Sequence, residues 1–154
     1  MARVGVSVCD PDGMLATPLR TLKRDSKRNT DIRLLTDLAV ERSVIEVFVG
    51  LPQSLSGGET QSTAMARDYA RTLLVRLRAS GSQAEVRLVD ERLTTVSAHR
   101  SLRDAGLDGR KHRQVVDQVA AADILQHALN MQKALQRDVG IAVEIEARPA
   151  TDDI

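Results

Sequence analysis

The run Asp90-Glu91-Arg92-Leu93-Thr94-Thr95 sets two carboxylates where an apolar segment gives way to a helix-starting pattern. Adjacent carboxylates supply hard oxygen donors that can hold metal ions. The same residues can also cap the following helix and complement its dipole, which is the commoner use of such a pair. A further carboxylate, Asp117, stands in Val115-Val116-Asp117-Gln118-Val119-Ala120-Ala121, beside small apolar residues. An ionised group near such a surface needs a cation or a metal as partner. Its place near the start of a long helical pattern offers stabilisation by the helix N-terminus as the plainer account.

These groups are useful only if the chain positions them. Val86, Leu88 and Val89 give residues 84–89 the pattern of a mostly buried strand, and residues 94–105 read as a helix with Thr at the N-cap and Gly106 past its end. Ligand groups gather at the outer ends of such strands in open α/β sheets. Upstream, Val4, Val6 and Val8 alternate with Gly5, Ser7 and Cys9, a strand whose small side suits close packing. Asp10-Pro11-Asp12-Gly13 is a turn signal, and residues 14–17 can return as a hairpin partner before Pro18. Asn29 or Thr30 can cap a helix running to about Arg42, with Ile32, Leu35, Leu38 and Ala39 on its buried face.

Residues 44–49 form a second strand pattern, followed by Gly50-Leu51-Pro52 and a loop with Gly57-Gly58. A helix over 60–79 carries Ala66, Tyr69, Ala70, Leu73 and Leu77 at helical spacing, and Gly81 ends it. A long helix spans 114–135. Strands alternating with helices imply an α/β layer fold with parallel strands in its sheet. A single domain over 1–137 is expected, with 138–154 as a partly disordered tail, although residues 141–145 alternate like a short strand.

With 42% hydrophobic and 28% charged residues, and no apolar run near the ~20 residues that a membrane helix needs, the composition is that of a soluble globular domain. The start Met1-Ala2-Arg3-Val4-Gly5-Val6 lacks a signal-peptide layout, so a cytoplasmic location is expected. The single Cys9 cannot form an internal disulfide and is expected to be a small buried residue. The net charge of +1 decides little, because basic residues can cluster on one side. Arg20, Lys23, Arg24, Lys27 and Arg28 form one cluster, and Arg110-Lys111-His112-Arg113 another; each is either a solvated loop or a phosphate contact. With only Phe48 and Tyr69 as aromatics, a base-stacking platform is disfavoured.

Three separated motifs carry a resemblance: Val49-Gly50-Leu51-Pro52 with Gly57-Gly58; Asp90-Glu91-Arg92-Leu93-Thr94-Thr95-Val96-Ser97-Ala98; and Val116-Asp117-Gln118-Val119-Ala120-Ala121 with Ile124-Leu125-Gln126. In this order and spacing, over roughly residues 3–136, the chain resembles the YqgF family. This is a Holliday-junction-resolvase-like group with a ribonuclease H-like fold, also described as nucleases that mature the 5′ end of the small-subunit ribosomal RNA precursor. The resemblance implies a mixed sheet flanked by helices. It also implies three acidic positions: an Asp on the family's first strand, a second that maps onto Glu91 and a third onto Asp117.

The first of these has no equivalent here. Val8-Cys9-Asp10-Pro11 matches the strand that follows it, and Asp10 reads as a turn residue. The chain is therefore expected to lack the family's first strand, through a start downstream of the true one or, less favoured, a truncated product.

The resemblance implies metal-dependent phosphodiester hydrolysis, with Glu91 and Asp117 as catalytic metal ligands and Mg²⁺, or Mn²⁺, as cofactor. Chemistry of this class is expected to use two ions about 3.5–4 Å apart, so loss of one carboxylate would impair it. Arg92, Lys111 and Arg113 are the expected nucleic-acid contacts, with Arg92 alternatively pairing with its neighbouring carboxylates. Precursor rRNA is the favoured substrate. Cleavage of branched DNA, or RNA binding without catalysis in ribosome assembly, are the alternatives. No membrane partner is expected, and a homo-oligomer is compatible with the sequence.

Overall fold

The computed structural model describes residues 3–53, 58–91 and 110–145, and side chains in the last of these from residue 115 onward. The valine alternation near the start forms β1 (Arg3–Cys9), which pairs antiparallel with β2 (Ala16–Lys23). The turn between them is tied by Asp10, whose Oδ1 accepts the N–H groups of Met14 at 2.8 Å and Leu15 at 2.7 Å, while Gly13 takes a positive φ of 67°. Asp10 is thus a turn residue, as its motif implied.

The return strand differs from the expectation of a short partner over 14–17. It starts at Ala16 and passes through Pro18 to Lys23. Proline has no N–H to give a ladder, and the register shifts between Val6 and Ser7, where Pro18 stands opposite Ser7. Cys9 is exposed rather than buried, because it closes β1 at the turn, where the burial of the strand runs out.

After β2 the chain turns into α1 (Thr30–Glu41), crosses to β3 (Glu46–Leu51), and continues through α2 (Gln61–Ala79) to β4 (Glu85–Asp90). Thr60 caps α2: its side chain accepts from the Thr63 N–H, and the Thr63 hydroxyl accepts from the Thr60 N–H at 3.0 Å, a reciprocal box. Asn29 occupies the N-cap position of α1 in the left-handed region, but its side chain does not cap; it accepts from Arg24 instead. A long helix, α3 (Arg110–Leu135), leads to β5 (Ile141–Ala142).

β3 and β4 are parallel, from Glu46 opposite Glu85 to Leu51 opposite Asp90, and β5 adds to β4 antiparallel. The strands fall into two sheets among the described residues: the β1–β2 hairpin and the mixed sheet β3–β4–β5. Period-two alternation splits the mixed sheet between two cores. Val47, Val49, Val86 and Leu88 face Ile32 of α1 and Ala66, Tyr69, Leu73 and Leu77 of α2. Phe48 and Val89 pack instead with Ala120, Ile124 and Ala128 of α3. Ile32 and Leu77 are fully buried, each stabilising the fold by about 1.5–3 kcal/mol.

Residues beyond 137 also contact the fold. Val139 is buried against α3, and the Val143 N–H donates to Val86 O at 2.8 Å. Gly140, at φ 81°, makes the approach possible: a Cβ there would lie 2.7 Å from Leu88 O. The helix expected over 94–105, Arg92, and residues 146–154 lie outside the described residues.

Candidate active site at the strand end

Glu91 directly follows the last residue of β4, and Gly50 of β3 lies alongside, opposite Val89 in the parallel register. A methyl group at Gly50 would stand 2.7 Å from Glu91 Oε1 and 3.0 Å from Ile124 Cδ1. Glycine at this position lets the carboxylate lie between strand and helix. Ile124 belongs to α3, and Asp117 comes seven residues earlier, two turns back on the same side of the helix. Buried Ala120 lies between them. The structure thus sets Glu91 and Asp117 along one side of α3, Glu91 through the mixed sheet and Asp117 through the hairpin.

Asp117 is fixed by a contact that the sequence does not advertise. Arg3 Nε donates to its Oδ2 at 2.7 Å, with the Asp117 side chain only 19% exposed. The backbone approach is closer still, since a Cβ on Gly5 would sit 2.1 Å from Asp117 O. The small side of β1 is therefore a seat for α3, as the pattern of Gly5 and Ser7 suggested.

The helix also begins earlier than the expected residue 114. It starts at Arg110, which places Asp117 beyond the first turn, where stabilisation by the helix N-terminus has faded. Its compensating cation is Arg3. Lys111 and Arg113 lie on the first turns of α3, with Arg113 one turn before Asp117.

α3 is bound to the hairpin along its length. Gln126 accepts the Ala16 N–H at 2.9 Å and donates to Met14 O at 3.1 Å. Arg24, counted in the first basic cluster, turns inward: its guanidinium donates to Asp31 at 2.9 Å and lies 4.9 Å from the Tyr69 ring centroid. Asp31 is 2% exposed and also accepts from the Tyr69 hydroxyl at 2.7 Å. Burial, and then the hydrogen bond to Asp31, push the Tyr69 phenol far up, so it stays a donor.

Among the described residues no three His, Cys, Asp or Glu side chains converge as a metal group. Sequence reasoning missed Arg3, Gly5 and Gly50 as parts of the site. Gly50 carried a signal as part of the Val49-Gly50-Leu51-Pro52 motif, and Gly5 as part of the small side of β1. Among the described residues no helix is long and apolar enough to cross a membrane.

Comparison with known proteins agrees with the motifs. The model of a family described as "RuvX: Holliday junction resolvase" matches residues 1–131. A protein of Clavibacter sepedonicus named "Putative pre-16S rRNA nuclease" is 45% identical over 142 residues, covering 92% of this chain and 85% of its own. Proteins of the same name from Leifsonia xyli and Streptomyces coelicolor are each 46% identical, covering 96% and 94% of this chain and 91% and 83% of theirs.

Proposed function

Because the chain belongs to the RuvX family, also called YqgF, we propose that it is a nuclease that hydrolyses phosphodiester bonds in the precursor of the small-subunit ribosomal RNA, acting in the cytoplasm. The observation that carries this reading is the alignment of Glu91 and Asp117 along one side of α3, with Gly50 leaving room for the first. The names of the relatives favour precursor rRNA as substrate. The description of the family supports a second reading, cleavage of branched DNA.

The donor set suits one hard divalent cation, Mg²⁺ or Mn²⁺. Mg²⁺ is commonly held by one or two carboxylates, the remaining positions going to water and phosphate oxygens. A bound divalent ion would supply Lewis-acid polarisation of the phosphate and a more acidic water. Glu91 and Asp117 would hold it, with Arg3 offsetting the charge of Asp117 until then. With these two carboxylates, one of them ion-paired, ion binding would be weak. Arg92, Lys111 and Arg113 would grip the phosphates entering the site.

Cleavage of a precursor-rRNA leader and of a four-way DNA junction, each with Mg²⁺ or with chelator, tests this. Metal-dependent cleavage that falls about 100-fold in Glu91→Gln and in Asp117→Asn is expected. Rates that these changes leave intact sink the assignment of the carboxylates, and cleavage of the junction alone transfers the activity to DNA.

A further inference from the structure

The basic segment following β2 is not accounted for by the carboxylate site, and its cations divide into two kinds. Arg24 is spent inward on Asp31, on Asn29 Oδ1 at 3.0 Å and on the Asp25 carbonyl at 2.8 Å. Lys23, Lys27 and Arg28 are exposed, and among the described residues no ion pair holds them. The segment's carboxylates are both occupied. Asp25 Oδ1 accepts the N–H groups of Lys27 at 3.2 Å and Arg28 at 3.1 Å, and its Oδ2 accepts the Thr30 hydroxyl at 2.5 Å. Asp31 is enclosed between Arg24 and Tyr69. The turn is thus rigid before any ligand arrives, which lowers the ordering cost of binding.

Lys23 stands directly opposite Arg3 in the hairpin ladder. Opposed residues of an antiparallel pair share a face, and like charges there are destabilising. Asp117 offsets the charge of Arg3, and Lys23 is left without such an offset. A polyanion laid along this end of the hairpin would supply one. Three cations spread over a strand end and a turn suit a repeating anion better than a single phosphate group. The two aromatic side chains are packed in the cores, so bases have no stacking platform here.

We propose that Lys23, Lys27 and Arg28 form a sequence-independent contact surface for the phosphate backbone of a nucleic acid, beside the Arg3–Asp117 pair. This rests on the nuclease reading for the nature of the ligand. The surface lengthens the footprint beyond the carboxylates and holds the strand that leads to them.

The test is binding of a labelled RNA stem-loop and of the DNA stem-loop of the same sequence to the full chain, in chelator, across roughly 50–200 mM salt. Each phosphate contact adds about 0.7–0.9 to the slope of log K against log salt. The Lys23→Gln, Lys27→Gln, Arg28→Gln triple variant is expected to flatten that slope by about 2 and to weaken binding about tenfold or more, with its melting curve unchanged. The control neutralises Arg33, Arg42 and Arg71, exposed on and beside α1 and α2, and is expected to keep the wild-type slope.

Loss with both nucleic acids means that the phosphates alone are read. Loss with one assigns the surface to that nucleic acid. Equal losses in the variant and the control, or an unchanged slope in the variant, overturn the proposal even if the wild type cleaves RNA. Slope loss in an enzyme whose cleavage survives Glu91→Gln and Asp117→Asn overturns the carboxylate assignment alone. A wild type that binds neither nucleic acid overturns both readings.

Discussion

Gly5 and Asp117 touch backbone to backbone: the Asp117 carbonyl oxygen occupies the space within 2.1 Å of where a Gly5 side chain would begin. Nothing flexible stands between them to give way. Gly5→Ala should therefore lift α3 off β1, costing about 1–3 kcal/mol or more as an overpacked contact does. Denaturant unfolding of the variant measures this; a loss below ~0.5 kcal/mol would mean that the helix does not sit on β1 as described.

The Arg3–Asp117 pair makes a second prediction. If Asp117 takes part in ion binding, Arg3 competes with the ion for the same carboxylate. Arg3→Gln should then strengthen Mn²⁺ binding, read by titration of the free ion's EPR signal, by up to about fivefold. That is the range a partly exposed ion pair of ~0.2–1 kcal/mol allows. Weaker binding in the variant would show that Arg3 orients Asp117 for the ion rather than competing with it.

The buried trio of Arg24, Asp31 and Tyr69 should be costly to break and non-additive. Asp31→Asn leaves the Arg24 guanidinium without its counter-charge, with an expected loss of about 3–5 kcal/mol. Tyr69→Phe removes one donor to a buried carboxylate, at about 1–3 kcal/mol. Because both act on Asp31, the double variant should lose less than the sum of the two, which unfolding curves of the four proteins would show.

Acid stability should depend on two turn carboxylates. Backbone N–H donors, led by that of Leu15, hold Asp10 below its ordinary value of 3.8, and the Thr30 hydroxyl, followed by backbone donors, does the same for Asp25. A carboxylate whose folded value is depressed binds fewer protons folded than unfolded near pH 3.8. Its contribution is present above that pH and is lost as pH falls through the folded value. Asp10→Asn and Asp25→Asn should each flatten the fall in stability below about pH 4, checked by acid titration of the far-ultraviolet signal. An unchanged acid profile would count against these hydrogen bonds in solution.

What the sequence made legible follows from the range of the forces involved. Strand alternation and helical spacing are local, so β1, β3, β4 and α2 lie close to where the pattern of Val, Leu and Ala puts them. Glu91 and Asp117 were visible through their motifs. Arg3 was not, because its partner is 114 positions away and nothing in either neighbourhood marks the pairing. The start of α3 was misplaced because Arg110-Lys111-His112-Arg113 puts cations at the end of a helix where the dipole disfavours them. Pro18 hid the length of β2, and the Gly140 approach that seats β5 is a tertiary contact with no local signature.

Among the described residues, the two sheets anchor the two carboxylates separately. Asp117 is anchored to the hairpin through Arg3 and Gly5, and Glu91 to the mixed sheet through β4. No single strand or loop carries both carboxylates, so their separation is a dimension of the core. It is set by how deeply Ala120 and Ile124 settle against Phe48, Gly50 and Val89. A methylene added or removed at buried Ile124 would act as a spacer adjustment for the site.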